Sequence, residues 1–571
     1  MAGIYGIYAP GAELPSGSYR RMFSAPLPHT DNDEWQSGDF VAGRSVTDRF
    51  EEDRALEEEG ELVVGLEGLL YNRGERSAAG MVREAWEEGE DFPGALEGLF
   101  SGFVLDRARS ELCLFTDPLA TRPLYYLCQP GRRALLFGSE LKWVTGTARE
   151  MGLPLGVSAD AFRCLLSFGY MLDGLTPAGE VRKVPPGTVL SFDLQDFTST
   201  ERRWFALEKS PQSLGLAEAL EEADRLLRRA VEREWEKDRQ NGYRHLALLS
   251  GGLDSRANVM LADELGFENL HTLTFSRAGT SDQAVARQIA GDRGYTHRFV
   301  DLEEGGYLTS GLERYLEAGD GLTALNGAAH MIHALQNLDL EGFGALHSGQ
   351  IGDVLFGSFT GLRAKLRDRP GSLGFLDAPE IIERISIWPE LRERYLQGAP
   401  ELFAWEQRQV NGTLNGDRSV AHWIDMPSPF YDRELIRFCL SLPEELRRGE
   451  KLYTEWMRRR HPEMARYRWQ KAGTRIRRPL PMKLFGLAAK ARRHLLAGLG
   501  LPGDEMTPLA WWMRRNARIP EVLTGLFNDH IAEVDEPELR EEARQVFGRP
   551  EAQAKFNALT AVLSYRLHLK S

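Results

Sequence analysis

The segment S-G-G-L-D-S at residues 250–255 constrains the fold of this 571-residue chain more than any other feature. It follows the apolar run HLALL (245–249) and precedes the helical pattern RANVMLADELG (256–266). Two adjacent glycines let a backbone approach an anion closely, and the amides at the start of a helix point towards it. The Lys that follows the last glycine of a Walker motif is missing. We therefore predict a phosphate-binding loop of another kind, between a strand and a helix.

The carboxylate of Asp254 falls inside this predicted anion site. It would repel a phosphate unless a cation lay between them, and Mg²⁺ is the usual companion of nucleotide phosphates. An isolated Asp in such a position is more often a helix cap or a surface residue. Asp254 within this loop nevertheless predicts a nucleotide bound together with Mg²⁺.

Strands and helices alternate after the loop. The segments are LHTLTF (270–275), SDQAVARQIAGDRG (281–294) and HRFVDL (297–302). Strands separated by helices of this length are typical of a doubly wound parallel sheet. The rest of the chain has a mostly helical pattern.

The residues before about 205 have a different pattern, with short strands between Gly, Pro and Asp. These strands are rich in aromatic and β-branched residues, and several are apolar without alternation, as expected for sheets covered by helices. Examples are ELVVGLEGLLYN (61–72), LFSGFVLD (99–106), ELCLFTD (111–117) and RALLFGS (133–139). We place the boundary near 206–212, which gives predicted domains of residues 1–207 and 208–571.

Charge and cysteine content exclude several classes of protein. The chain has 70 Lys and Arg against 84 Asp and Glu, a net charge of −14, which argues against binding to nucleic acid or to an anionic membrane. We find neither a signal-peptide pattern nor an apolar stretch near the ~20 residues of a membrane-spanning helix. Cys113, Cys128, Cys164 and Cys439 form no CxxC pair, so we expect a reducing, cytoplasmic location.

Four further segments follow the loop: LTFS (273–276), SGQIGDVLFGS (348–358), DMPSPFYDRELIRF (425–438) and WQKAG (469–473). In this order they resemble the motifs of the asparagine synthetase superfamily. In that family ATP activates a carboxylate as an acyl-adenylate, pyrophosphate leaves, and an amine attacks. The resemblance implies a mixed α/β and α+β chain with an N-terminal Ntn-hydrolase-like αββα sandwich. It also implies a C-terminal ATP-pyrophosphatase domain, which is adenine nucleotide alpha hydrolase-like, with a doubly wound parallel sheet and a helical C-terminal portion.

The same resemblance assigns roles to individual residues. Asp254 and Asp353 would bind Mg²⁺, and the catalytic residues would be Lys471, Asp425 and Gln350. Lys471 would place its ammonium near the oxyanion that develops during the reaction. The ATP contacts would be Leu248, Ser250, Gly251, Gly252, Asp254, Ser255, Ser276, Ser348 and Gly349.

Two of these positions depart from the family pattern. Asparagine synthetases have Glu and β-lactam synthetases have Tyr where this chain has Gln350, which cannot take a proton but can orient a nucleophile. Asp425 replaces a Glu and would act as a base or as an electrostatic partner. A strong base is less needed for an α-amine, whose pKa of about 7.7–8.0 leaves part of it neutral. These departures predict an acceptor other than ammonia and an acid other than aspartate.

The N-terminal half resembles a glutaminase domain that has lost its chemistry. MAGIYGIYAP (1–10) and FTDPLATRPLYY (115–126) match its motifs, but Ala2 stands where the family has its nucleophilic Cys. The family's glutamine-binding segment, Asn-Gly-Glu-x-Tyr-Asn, appears here as Glu67-Gly68-Leu69-Leu70-Tyr71-Asn72, without the amide and the carboxylate that would bind the substrate. We expect no glutaminase activity, so that the amine comes from the substrate itself.

Relatives without that Cys include β-lactam synthetases and the macrolactam cyclases of lasso peptide biosynthesis. We favour a cyclase that adenylates an Asp or Glu side chain of a precursor peptide, which is then attacked by the peptide's N-terminal amine. The β-lactam Tyr is absent, and the Arg-rich segment 458–493 would hold an extended peptide. An exposed helical face, or a surface that pairs with the acidic N-terminal domain, explains that segment equally well. A leader peptidase and a leader-binding protein of the same pathway would be partners.

Three alternatives stay open. The first is a β-lactam synthetase or another small-molecule amide synthetase, and the second is an ammonia-dependent asparagine synthase. The third is an inactive relative that serves as a binding scaffold. Retention of Asp254, Asp353 and Lys471 argues against the scaffold, because a degenerate site would have lost at least one of them.

Overall fold

The N-terminal half is built from two antiparallel sheets. A computed structural model describes residues 3–15, 17, 30–89, 91–477, 491, 495–496 and 500–570. The strands described up to residue 203 are β1 (Gly3–Tyr8), β2 (Thr30–Ser37), β3 (Phe40–Thr47), β4 (Ala55–Glu59), β5 (Leu62–Leu70), β6 (Gly98–Asp106), β7 (Glu111–Thr116), β8 (Tyr125–Gln129), β9 (Ala134–Gly138), β10 (Val181–Lys183), β11 (Thr188–Asp193) and β12 (Ser199–Arg203). The strand orders are β10-β8-β9-β1-β3-β2 and β12-β11-β7-β6-β5-β4.

The two sheets pack face to face through apolar side chains. Phe40 and Phe137 of the first sheet contact Phe103 of the second. Helix α1 (Ala78–Glu88) covers the outer face of the second sheet, and α2 (Leu141–Glu150) covers that of the first. This is the predicted αββα sandwich.

The C-terminal half contains a parallel sheet with helices on both faces. Its strands are β13 (Arg244–Leu248), β14 (His271–Ser276), β15 (Thr296–Asp301) and β16 (Phe343–His347), in the order β15-β14-β13-β16. Helices that precede or follow β13 and β14 pack on one face, and Ala329 and Ile332 pack on the other. The sheet is thus doubly wound, as predicted. A small hairpin, β17 (Arg468–Trp469) and β18 (Thr474–Arg475), follows later.

Helices make up most of the remaining described residues. In chain order they are α3 (Ala159–Ser167), α4 (Leu216–Gln240), α5 (Asp254–Glu264), α6 (Ser281–Arg293), α7 (Leu312–Ala318), α8 (Asn326–Gln336), α9 (Gly352–Leu355), α10 (Arg363–Asp368), α11 (Pro379–Ile382), α12 (Trp388–Gln397), α13 (Pro400–Phe403), α14 (Leu414–Val420), α15 (Arg433–Ser441), α16 (Glu444–Arg447), α17 (Lys451–Arg460), α18 (Pro462–Ala465), α19 (Leu509–Arg515), α20 (Arg518–His530), α21 (Pro537–Phe547) and α22 (Ala552–Leu569). Helix α22 is largely buried and packs against α2 and α3, so the end of the chain contacts the N-terminal half.

Several sequence predictions concern segments between these elements. Neither helix nor strand occupies residues 204–215, where the domain boundary is predicted. Of the basic segment 458–493, residues 478–490 and 492–493 lie outside the described residues, as does Ala2. In its described part, Arg458 and Arg466 pair with acidic side chains. Among the described helices, none has the length and apolar character to cross a membrane.

Candidate active site

A cavity of about 430 Å³ opens at the carboxyl ends of β13 and β14. In an open parallel sheet, this is the edge at which ligands usually bind. The cavity is lined by Leu248, Leu249, Ser250, Gly252, Asp254, Ser255, Leu273, Thr274, Phe275, Asp282, His330, Met331, Gly349, Gln350, Gln470 and Met506. Seven of the predicted residues are among them: Leu248, Ser250, Gly252, Asp254, Ser255, Gly349 and Gln350.

Residues 250–255, the first loop, are held in shape by their own side chains. The Ser250 backbone N–H donates to Ser255 Oγ at 3.1 Å, and the Gly252 N–H donates to Ser250 Oγ, also at 3.1 Å. The Gly251 N–H donates to Asp282 Oδ1 at 2.8 Å, so this amide is already paired. No described side chain caps the N terminus of α5, so its first-turn amides are available to an anion.

A buried arginine supports this loop from behind. The guanidinium of Arg256 donates to the carbonyls of Gly251, Met464 and Arg468, at 3.2, 3.1 and 2.7 Å. It thereby ties the first loop to the segment that leads to Lys471. Sequence reasoning missed Arg256, because nothing in its spacing separates it from a surface arginine of α5.

Residues 348–353, the second loop, approach the first loop closely. A Cβ atom added to Gly349 would lie 2.4 Å from the Ser255 backbone nitrogen, and one added to Gly352 would lie 2.6 Å from Asp254 Cγ. Only glycine fits these two positions without a shift of one loop. The contact brings the Asp353 N–H to Asp254 Oδ2 at 3.1 Å.

We expect Gly349→Ala to weaken ATP binding at least tenfold and to destabilise the protein by about 1–3 kcal/mol. The added methyl group would push against backbone atoms, which cannot rotate away as a side chain can. Titration with ATP and urea unfolding would measure both effects. Gly291→Ala in α6 is the control, since nothing lies within 4 Å of its added Cβ. Equal ATP affinity in the two variants would contradict the close approach of the loops.

Three carboxylates meet where the two loops face α17. Burial, and then repulsion from Asp353 and Glu450, raise the pKa of Asp254 well above its usual range. Its Oδ1 atom is buried and accepts no hydrogen bond of ordinary geometry from the described residues, although the nearby Tyr453 hydroxyl acts to lower the pKa of Asp254. Burial also raises the pKa of Glu450. A buried, unpaired carboxylate oxygen in a cluster of like charges fits a hard cation such as Mg²⁺, and the predicted ligands Asp254 and Asp353 would hold it.

Lys471 lies beside this cluster, in the turn between β17 and β18. Its ammonium pairs with the carboxylate of Glu450, and its side chain is 57% exposed. An exposed lysine next to buried carboxylates can turn towards a bound anion without losing much packing. Lys471 does not line the cavity itself, and its predicted catalytic role stays a prediction.

Ser276 and Ser348 are fully buried rather than exposed in the cavity. Ser276 Oγ contacts Thr280 Oγ1 at 2.8 Å, next to the start of α6. Ser348 Oγ donates to the Pro427 carbonyl at 2.9 Å. Both side chains hold loops at the sheet edge, and any contact with ATP would have to come from their backbones.

Asp425 lies in an ion-pair cluster between the two halves of the chain. Arg54 donates to its Oδ2 atom at 3.0 Å, Arg122 pairs with its Oδ1 atom, and Arg54 also pairs with Glu67 at 3.1 Å. Burial alone would raise the pKa of Asp425, but Arg122 and Arg54 hold it below its usual value. Of its two predicted roles, this geometry favours the electrostatic partner over the base.

A buried histidine ties the second loop to α4. His347, directly before the loop, donates to Glu234 at 2.7 Å and to Asp238 at 2.9 Å. Burial alone would lower the pKa of His347, but the two carboxylates, Asp238 first, raise it to about 9. Asp238, His245 and His347 have the spacing of metal ligands, but both nitrogens of His347 already donate to carboxylates. We interpret the group as an ion-pair network, which sequence reasoning missed.

This network predicts a pH-dependent stability. Because the pKa of His347 is higher in the folded protein than its unfolded value, the stabilisation is complete below about pH 6.5. We expect the free energy of unfolding to fall by a few kcal/mol as the pH rises through about 9. Urea unfolding at a series of pH values would measure this fall. His347→Gln should flatten it, whereas the half-buried His333→Gln should not; equal slopes in both variants would contradict the network.

Comparison with known proteins gives two family matches and one relative. The Asparagine synthase model matches residues 222–505, and the Glutamine amidotransferase domain model matches residues 62–205. A probable glutamine-hydrolysing asparagine synthetase of Acanthamoeba polyphaga mimivirus is 22% identical over 376 residues. This match covers 62% of this chain but only 57% of the relative. The range matched by the Asparagine synthase model includes both cavity loops, and the range matched by the Glutamine amidotransferase domain model includes β5 to β12.

Proposed function

The chain belongs to the asparagine synthetase superfamily, and from that premise we propose that it is an ATP-dependent amide ligase. The observation that carries the proposal is the cavity at the sheet edge, where, among the described residues, α5 begins without a side-chain cap and its first residue, Asp254, has a buried Oδ1 atom without a hydrogen-bond donor of ordinary geometry. The amides at the start of α5 attract phosphate, and the Oδ1 atom of Asp254 attracts a cation. ATP bound with Mg²⁺ satisfies both.

Each residue then has a task in the reaction. The amides at the uncapped start of α5 and the hydroxyls of Ser250 and Ser255 would bind the phosphates, and Asp254 and Asp353 would hold Mg²⁺. When bound, the metal would supply charge neutralisation for the leaving pyrophosphate. Lys471, released from Glu450, supplies a positive charge to the oxyanion of the acyl group. The carboxylate substrate attacks the α-phosphate, pyrophosphate leaves, and an amine then displaces AMP to form the amide.

We further propose that the carboxylate and the amine belong to one peptide, so that the product is a macrolactam of the lasso type. Two departures from the family pattern support an amine that belongs to the substrate itself and is neither ammonia nor taken from glutamine. Glu67, in the former glutamine-binding segment, is buried and paired with Arg54. Gln350 replaces the Glu of asparagine synthetases at the cavity wall. A leader peptidase and a leader-binding protein belong to this proposal as pathway partners.

The name of the mimivirus relative favours a second candidate, asparagine formation from aspartate. With no glutamine chemistry, ammonia would have to enter from solution. A β-lactam synthetase-like reaction is the third candidate, in which a small carboxylic acid closes on its own amine.

Product analysis separates the candidates. The protein would be incubated with ATP, Mg²⁺ and synthetic linear peptides that carry one internal Asp or Glu at varied distances from a free N-terminal amine. We expect loss of one water from a peptide, with one AMP formed, and no reaction when the N terminus is acetylated. Asparagine formed from aspartate and ammonium, or water lost from a carboxyethyl amino acid, would favour the second or the third candidate instead.

A further inference from the structure

Asp417 lies directly behind the cavity wall formed by Gln350. It belongs to α14 and is 8% exposed. Its Oδ1 atom accepts a hydrogen bond from Gln350 Nε2 at 3.0 Å, and its Oδ2 atom accepts one from Tyr431 Oη at 2.6 Å. None of the sequence motifs includes Asp417, and the steps proposed above do not use it.

The chemistry of this contact fixes the Gln350 amide in one orientation. An ionised carboxylate only accepts hydrogen bonds, so it must face the NH₂ group of the amide and not its oxygen. The Gln350 backbone is also held, because its carbonyl accepts from Ser428 Oγ at 3.0 Å. The next residue, Ile351, has φ 59°, a region that costs a β-branched residue about 1–3 kcal/mol and persists only where the surroundings impose it.

We propose that Asp417 is a positioning residue for the attacking amine: it turns Gln350 so that the amide oxygen Oε1 can accept a hydrogen bond from that amine. The inference rests on the proposed amide ligase function and identifies the group that receives its nucleophile. The recognised class is a primary amine or ammonia, since each carries an N–H for Oε1. Gln350 thus prepares the amine for attack by orienting it, whereas a titratable side chain at this position would do so by accepting a proton.

The electrostatics of Asp417 supply a signature of this role. The titratable group that faces it is Tyr431, behind which lie Tyr71 and Glu234. No Lys or Arg of the described chain forms an ion pair with it, and burial raises its pKa to about 7. Below that pH the protonated carboxyl donates a hydrogen bond, so Gln350 can rotate and present its NH₂ group to the cavity. The positioning of the amine is therefore lost as the pH falls through about 7.

The experiment compares two half-reactions in the full-length protein. ATP–pyrophosphate exchange reports adenylation, and amide formation from the peptide panel, or from aspartate with ammonium, reports the attack by the amine. We expect Asp417→Asn and Gln350→Met to reduce amide formation at least tenfold more than exchange. High concentrations of hydroxylamine should still capture the adenylate as a hydroxamate, because they replace positioning with mass action.

Two further readouts separate positioning from a structural role. As the pH is lowered, the wild-type rate of amide formation should fall with a pKa of about 7, and Asp417→Asn should lack this step. The fall in rate that comes from protonation of the attacking amine should remain in both proteins. The double variant should lose no more than Gln350→Met alone. Gln350 is half-buried, so its variant keeps the test valid if Asp417→Asn unfolds.

The outcomes distinguish the two levels of inference. Suppose that the wild type shows exchange. The role of Asp417 alone would then be overturned if Asp417→Asn lost both half-reactions equally, or if Gln350→Met kept full amide formation. Absence of wild-type exchange with every peptide and with aspartate would overturn the proposed function and this inference with it.

Discussion

Asp254→Asn should reduce ATP–pyrophosphate exchange roughly a hundredfold or more while stabilising the ligand-free protein by roughly 1–2 kcal/mol. The first effect follows because an amide is a far weaker Mg²⁺ ligand than a carboxylate. The second follows because burial and the repulsion from Asp353 and Glu450 disfavour the charged form of Asp254. The pKa of Asp254 is higher in the folded protein than in the unfolded chain, so its carboxyl lowers the free energy of unfolding at any pH above the unfolded pKa. The neutral amide of Asn removes that effect.

The two effects are measured separately. Exchange is followed at saturating ATP, and urea unfolding is followed in EDTA at neutral pH. Asp263→Asn, on the same helix and away from the cavity, is the matched control and should change exchange little. Undiminished exchange in Asp254→Asn would remove Asp254 from the metal site, and a lower stability in EDTA would show that repulsion does not dominate its environment.

Asp425→Ala should destabilise the protein by about 3–5 kcal/mol, since it removes the carboxylate that the buried guanidinium groups of Arg54 and Arg122 share and leaves Arg54 paired with Glu67 alone among the described residues. Because the ion pairs join the two halves, the loss should also separate the unfolding of one half from that of the other. Urea unfolding monitored by two probes, one in each half, would measure both. Asp368→Ala, which breaks an exposed pair with Arg367, should change the free energy of unfolding by at most about 1 kcal/mol.

A double variant tests whether the ion pair itself is responsible. Asp425→Ala with Arg122→Ala should be less unstable than the sum of the single variants, because it removes charge from both sides of the pair. Strict additivity would contradict a direct interaction. A loss of exchange larger than the loss of folded protein would show that Asp425 acts in the chemistry as well.

Local patterns were sufficient to predict the scaffold of the site. The run HLALL, the two glycines and the helical pattern after them lie next to each other in sequence, so their geometry follows from local rules. The same holds for the parallel strand 270–275 and for the glycines of the second loop. The sheet edge then brings these loops together wherever the strands run in parallel, which is why seven predicted residues line one cavity.

Partners that are distant in sequence were beyond such reasoning. The sequence predicts a catalytic role for Asp425 as a base or an electrostatic partner. The pKa of its carboxyl is held low by Arg54 and Arg122, which come from the other half of the chain. Gln350 was identified, whereas Asp417 behind it was not, because no spacing links the two. Arg256 and the His347 network were missed for the same reason: neither a buried hydrogen bond to backbone nor a buried ion pair has a sequence period.

We propose that the cavity between the two loops forms an acyl-adenylate from ATP and a carboxylate, and carboxylate-dependent ATP–pyrophosphate exchange with labelled pyrophosphate tests this most directly. We expect label to enter ATP only when Mg²⁺ and a substrate carboxylate are both present, and not in Asp254→Asn. Conversion of ATP to ADP and phosphate, or the absence of exchange with every peptide and with aspartate, would contradict the claim.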